Sequence, residues 1–402
     1  MTSLVRPRPA AAPIAASAPA AGACASNAVR LSTREPGSAP PEALGAAVAG
    51  VQDWDGLIAL ALRHRVAAYL LAATRCAAGT GGGSLLPPDA ARAVRAVVMG
   101  QALSVSVLQG ALTRSLEVLG AAGIPVIVLK GPVLARTLYP SPTLRPYSDV
   151  DLTVPGASVA AAGAALRGAG FEEVVYEAEA ARAASAGHVH AGASFHLKFI
   201  EPRSGGLVEL HGDPLQLGLR PAGEAGRWRR AVPVPGLDGA LMLGWEDQVV
   251  QLSVHAHKHG FERLIWLKDL DLLLRTFGAG LNWRLVETVA RAEGVTASVW
   301  YALELAARLL GAPLPAEVRR RFRPALPLRT AYRLAWPAAR IADLDGWMRR
   351  RAVQFHAAES WRGMLPSLFF MGRRGDRSRA IVQAITRGRL CNRTYAVGGA
   401  TE

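Results

Sequence analysis

Lysine is nearly absent from this chain. Lys130, Lys198, Lys258 and Lys268 stand against 42 arginines, so a position that keeps lysine is one where arginine's planar fork does not serve. Cysteine is scarce as well. Cys24, Cys76 and Cys391 are far apart and odd in number, which excludes a disulfide framework and a paired-cysteine zinc motif and fits a reducing cytoplasm. Aromatic residues make up 6% of the chain, and no stretch interleaves them with basic residues as a stacking platform for single-stranded nucleic acid would. No apolar run reaches about 18 residues, so no membrane-spanning helix is expected. Only 19% of residues are charged against 50% hydrophobic, so most of the 402 residues should be globular, enough for two or three domains with cores of their own.

The formal net charge is +15, which suits a polyanionic partner. The charge is dispersed, however, apart from Arg319–Arg323 and the stretch from Arg373 to Arg393. We read it as the arginine bias of a GC-rich coding sequence; dedicated nucleic-acid binding is disfavoured but stays open. Residues 1–42 are rich in Ala, Pro and Ser, with no acid before Glu35. Pro13 and Pro19 interrupt the apolar segment, which argues against a signal peptide. A disordered tail, or sequence upstream of the native start, is the expectation.

From residue 43 to 119 apolar positions recur at three- and four-residue spacing, which predicts a helical region. It is interrupted by the linker "GTGGGSLLPPD", with Asp89 placed to cap the next helix. The linker has no following Lys-Ser/Thr and no preceding strand, so it is not a phosphate loop. Residues 120–215 change period. "IPVIVLKG" is a wholly apolar, β-branched run and predicts a buried strand, followed by a short helix with Pro132 near its start. "SDVDLTV" alternates as a second strand, and "GASVAAAGAALRGAG" as a helix. "FEEVVYEAE" reads as a third strand, and "ASFHLKFIE" and "GLVELHGD" as a hairpin around "PRSGG". Residues 216–243 connect this unit to a region, 244–402, that is helical in period. The expected fold class is therefore α+β with an α/β core: a small mixed sheet flanked by an N-terminal helical region and a C-terminal all-α domain.

Asp149 and Asp151 sit two apart on the second strand, so their like charges share one face. The arrangement gains a use if a divalent cation lies between them, because Mg²⁺ is held by one or two carboxylates plus substrate phosphates. Glu209, with Val208 and Leu210 facing a core, is the candidate third acid. Lys130 and Gly131 stand where a buried strand hands over to a helix, where a backbone turn, free helix N–H groups and an ammonium meet an anion. A strand with a phosphate-binding turn, then Asp-x-Asp, then a carboxylate strand suits in-line transfer of a nucleotidyl group.

Other residues carry open readings. His211, one strand period from Glu209, either orients a ligand or is structural. Arg145 either clamps a phosphate or holds its loop against Asp149. In "HAHKHG", His255 and His259 share a helical face, but no Glu follows the first His and no third ligand has clear spacing, so zinc is disfavoured. His255 is expected to pack towards the cleft, with Lys258 supplying charge to phosphates. Asp269 either faces the cleft or is a surface acid, and Asp269 and Asp271, at i and i+2 on a helix, are not a second metal pair.

Taken together, "LKGPVLARTLYPSPTLRPYSDVDLTV", "LVELHGD" and "EDQVVQLSVHAHKHGFERLIWLKDLDLL" resemble an uncharacterised bacterial nucleotidyltransferase family, similar to a branch of the DNA polymerase β-like superfamily. The resemblance spans Val126 to Leu274. It implies Asp149, Asp151 and Glu209 as the catalytic and metal-binding acids, with Mg²⁺ or Mn²⁺. It places Lys130 and Gly131 at the superfamily's phosphate loop and includes Asp269; Arg145 and Lys258 as further phosphate contacts, and His211 and His255 near the cleft, are readings of the residues themselves. The implied reaction takes an NTP such as ATP, transfers its nucleoside monophosphate to a hydroxyl or similar acceptor, and releases pyrophosphate. The sequence departs from the usual Gly-Gly or Gly-Ser by reading Lys-Gly-Pro, has a longer interval from Gly131 to Asp149, and carries Glu for the commoner third Asp. These departures leave room for an alternative: a weak or inactive nucleotide-binding sensor or scaffold in a biosynthetic or toxin–antitoxin operon. The acceptor is not legible.

Overall fold

The first described elements are helices because alanine and leucine, strong helix formers, recur there. The computed structural model describes residues 21–36, 40–79, 83–174, 196–215 and 224–335. Helices α1 (Ala21–Thr33), α2 (Pro41–Ala49), α3 (Trp54–Arg63) and α4 (Ala67–Ala77) precede the long α5 (Pro88–Ala121). Asp53 caps α3 by accepting from Gly56 N at 2.8 Å. Asp89 lies inside the first turn of α5 rather than at its cap, where its charge still meets the positive end of the helix. Gly123, at φ 67°, ends α5, and Ile124 N turns back to Leu119 O at 2.9 Å.

The tail expected over residues 1–42 is structured in part. Helix α1 buries Ala28 and Val29 completely, because its small apolar residues fall on one face at helical spacing despite a composition typical of disorder. Residues 1–20 lie outside the described residues.

The sheet follows. Strand β1 (Val126–Val128) leads into α6 (Gly131–Thr137), β2 (Val150–Thr153), α7 (Val159–Gly168), β3 (Glu172–Glu173), β4 (His196–Ile200) and β5 (Leu207–His211). This is the strand and helix order the periodicity predicts, although most of "FEEVVYEAE" lies outside the described residues. The segment read as a connector contributes α8 (Glu224–Arg230), β6 (Val232–Pro233) and β7 (Ala240–Met242). The sheet runs β3-β4-β5-β2-β1-β7-β6 and is mixed: β2 pairs parallel with β5, β1 parallel with β7, and the remaining neighbours antiparallel. Helices α9 (Trp245–Lys258), α10 (Leu264–Phe277), α11 (Trp283–Ala292), α12 (Thr296–Leu305), α13 (Ala316–Arg321) and α14 (Leu326–Ala335) complete the described chain.

Two principal cores result. One lies on the sheet, where Val126, Val150, Leu152, Val208 and Leu210 meet Leu112 and Leu119 of α5 and Leu166 of α7. The other is all-helical, and it joins α1 to α4 with α9 to α12. The N- and C-terminal helical regions, separate in sequence, therefore share one interior. Helix α5 runs without a break through 34 residues and enters both cores, through Ala90, Ala91 and Val94 at one end and Leu108, Leu112 and Leu119 at the other. Among the described residues it is the one helix long and apolar enough, by length and composition, to cross a membrane, contrary to the expectation of none. Its ends are spent on the two cores.

Candidate active site

Strand β1 delivers Lys130 into an unusual backbone. Lys130 has φ 51° and ψ −117°, a conformation glycine enters freely and other residues hold at a cost of about 1–3 kcal/mol. Its carbonyl accepts from Leu134 N at 2.8 Å and so starts α6. Its side chain returns across the sheet, where Nζ lies 2.9 Å from Asp151 Oδ2, and both side chains are buried. Gly131 is buried beneath Tyr147: a Cβ there would lie 2.6 Å from Tyr147 Cβ and Cγ. Glycine is thus required at 131 for the close approach of an aromatic ring, a reason the sequence reading did not include.

The acids come from two parallel strands in register, with Asp151 opposite Glu209 and Thr153 opposite His211. Val150, Leu152, Val208 and Leu210 fill the core below, which leaves Asp151, Glu209 and His211 on the other face. His211 Nε2 lies 3.0 Å from Asp151 Oδ1 and 3.7 Å from Glu209 Oε2. One ligand atom from each of Asp151, Glu209 and His211 falls within 4.8 Å of the others. Asp149 lies in the bend just before β2, half-buried, and accepts from Ser148 Oγ at 3.2 Å. The structure therefore groups His211 with two of the three expected acids and sets Asp149 beside them.

The two aspartates differ electrostatically. Burial opposes ionisation of Asp151, but Lys130 and His211 outweigh it and hold the carboxyl well below the usual range. Burial and then the negative charge of Asp151 push Asp149 up, with Lys130 opposing. An added cation would reverse the pressure on Asp149. The donor set fits one, since carboxylates suit Mg²⁺ and Mn²⁺ and an imidazole suits the softer of the two.

Helix α9 supplies the opposite wall. His255 Nδ1 lies 3.4 Å from Lys130 Nζ; an ammonium only donates, so this nitrogen accepts. Burial first, and then the Lys130 charge, pushes His255 well below its ordinary value, which keeps the ring neutral for that role. The His255 ring packs edge-on against His259 and Trp266, with centroids 4.7 Å and 5.0 Å away. Neither His255 nor His259 belongs to the possible metal group found among the described residues. Lys258 is brought down to about 8 by burial first and then by Lys130, with Asp151, Glu209 and Asp213 opposing.

Arg145 and Asp269 meet each other. Arg145 donates from Nε to Asp269 Oδ1 at 2.6 Å and from Nη2 to Oδ2 at 2.8 Å, and Tyr139 Oη donates to Oδ1 at 2.6 Å. Both partners are buried. Asp269 is fully buried and so is not a surface acid. Of the two readings of Arg145, the geometry has it holding its loop, against Asp269 of α10, with its fork spent on that carboxylate and on Pro146 O.

Three further residues at the site were not read from the sequence. Lys198 of β4 pairs with Glu209 at 3.4 Å across the hairpin; its survival as lysine, and the register set by "PRSGG", were the available signals. Asp213 is buried near Lys258. Arg65, at φ 57° after α3, donates to Ser148 Oγ at 2.8 Å; no local pattern announces it.

A family model described as an uncharacterised nucleotidyltransferase matches residues 50–311 of the 402, and the chain belongs to that family. The match takes in the whole sheet, both halves of the site and the helices α9 to α12. No curated protein and no solved structure matches the chain.

Proposed function

We propose that this member of the family transfers a nucleoside monophosphate from an NTP to a hydroxyl or similar acceptor, releasing pyrophosphate. Asp149, Asp151 and Glu209 are the acids that would hold Mg²⁺ or Mn²⁺, with His211 as an added ligand. The observation that carries the reading is the close group of Asp151, Glu209 and His211 walled by two lysines, Lys130 and Lys258. When bound, a divalent cation neutralises phosphate charge and makes the acceptor hydroxyl more acidic.

The chain's own residues do the rest. Lys130 and Lys258 meet the triphosphate as point charges. His255, neutral, accepts from Lys130 and aims it. Glu209 takes the proton of the acceptor hydroxyl. The Arg145–Asp269 pair fixes the loop that carries Asp149. Positioning and charge complementarity provide most of the rate in such a transfer.

Calorimetry with each NTP, with and without Mg²⁺, tests this on wild type and on Asp149→Ala/Asp151→Ala. Metal-dependent binding that the double variant abolishes is the expected result; binding indifferent to metal and to those aspartates refutes it. A second reading, nucleotide binding without turnover, draws on the Lys130–Asp151 contact at 2.9 Å, which neutralises a catalytic acid with the chain's own cation. Metal-dependent binding, with no pyrophosphate released from the NTP in the presence of any hydroxyl acceptor, would favour it.

A further inference from the structure

We propose that a groove beside Asp149 seats the acceptor, and that the acceptor is a small apolar molecule bearing a hydroxyl. This rests on the transferase reading above. The groove has a volume of about 650 Å³, within the range of small-molecule sites. Its walls come from the turn after α3, the middle of α5, Pro146 to Ser148, and Gly205 to Leu207. Leu62, Val97, Val107, Leu108 and Leu207 make them mainly apolar.

Three observations point to an occupant and to its orientation. Leu62 and Val107, both lining the groove, are large hydrophobic side chains exposed to solvent, and exposed apolar side chains facing one groove mark a binding surface. Gln101, which also lines the groove, has a buried Oε1 with no hydrogen-bond partner among the described residues, so a ligand N–H or O–H has an acceptor waiting. Finally, residues lining the groove connect to two of the acids, which do not themselves line it. Arg65 binds Ser148 at 2.8 Å and Ser148 binds Asp149 at 3.2 Å. Leu207 precedes Glu209 by one strand period on the same face, roughly 6–7 Å along β5. Lys130, His255 and Lys258, the groups assigned to the triphosphate, lie on the α6 and α9 side and none of them lines the groove. The groove therefore presents a hydroxyl to Glu209 from the side away from the phosphates.

Gly100 tests this. It lines the groove, and a Cβ built on it meets nothing within 4 Å, so Gly100→Trp starts without a clash and puts a large ring at the groove wall. The probe is 2-naphthol, an apolar body with one hydroxyl, titrated into full-length protein carrying Mg²⁺ and the α,β-methylene analogue of the NTP it binds. Wild type is expected to bind 2-naphthol, and Gly100→Trp to bind it at least tenfold more weakly with nucleotide affinity unchanged within twofold. Val107→Glu, which places a charge at an exposed groove position, gives the same result if Gly100→Trp does not fold. Equal naphthol affinity in wild type and variants, or no naphthol binding by a wild type that binds nucleotide, overturns the acceptor assignment while the transferase reading stands. Loss of nucleotide affinity in Gly100→Trp overturns it by showing that the groove seats the nucleotide. A wild type that binds no nucleotide overturns both.

Discussion

Replacing Asp269 by leucine removes its charge and both acceptor oxygens and leaves a larger, apolar side chain in their place. Arg145 then remains in place with its fork buried, since its side chain is 4% exposed and that of Asp269 1%. Breaking a buried pair from one side costs about 3–5 kcal/mol, because the remaining charge has no counterion and little access to water. Tyr139 also loses its bond to Oδ1, worth about 1 kcal/mol. The expected loss is therefore about 4–6 kcal/mol. At roughly 2–4 °C per kcal/mol for a body of this size, Tm should fall by about 10–20 °C. The double variant Arg145→Met/Asp269→Leu orphans no charge and should recover to within about 2 kcal/mol of wild type. Denaturant unfolding of wild type, both single variants and the double variant closes the cycle. A single-variant cost below about 1 kcal/mol, or a double variant as unstable as the sum of the singles, would refute the assignment of this pair as the anchor of the Asp149 loop.

Three further outcomes are expected. Lys258 titrates near 8 in the folded protein, below its ordinary value, so the unfolded chain binds the extra proton between about 8 and 10.4 and folding stability rises with pH across that window. NTP affinity should move the other way, weakening as the ammonium is lost above pH 8, and Lys258→Met should flatten the calorimetric pH profile. Gly131→Ala drives a methyl against Tyr147, where 2.6 Å is available; a cost of about 1–3 kcal/mol in urea unfolding is expected, and an unchanged midpoint would contradict that packing. Arg65→Gly relieves a left-handed residue and should stabilise by up to about 1 kcal/mol while slowing transfer to the acceptor, so a thermal melt and a pyrophosphate-release assay should shift in opposite senses.

What the sequence discloses and what it hides follow from range. "VIV", "SDVDLTV" and the hairpin around "PRSGG" announce themselves because a strand's period of two is local, and the face on which Asp151 and Glu209 emerge follows from that period. That period also puts His211 on the face of Glu209, but its meeting with Asp151 required the parallel register of β2 on β5 across 58 residues. Arg145 and Asp269 are 124 residues apart, and no pattern near either one names the other. Periodicity gives each helix an apolar face but not its partner, so the shared interior of α1 to α4 with α9 to α12 was invisible. Composition misled at α1, where a run of small residues resembles a linker yet packs as a helix. The lysine scarcity was the most informative single signal: of the four, Lys130, Lys198 and Lys258 gather at the site, and Lys268 is buried against Asp271 at 2.8 Å.

Helix α5 has a mechanical consequence. It is a beam roughly 50 Å long, clamped in one core at each end. Its middle, from Met99 to Val107, is the least supported span, with Met99, Gly100, Leu103 and Ser104 open to solvent. A beam held at both ends yields where it is unbraced, and Gly100 is the residue there that least resists bending. A change in spacing between the helical body and the sheet must flex this span, which is also a wall of the groove. Filling the groove would brace the beam, so its occupancy and the distance between the two bodies form one elastic degree of freedom.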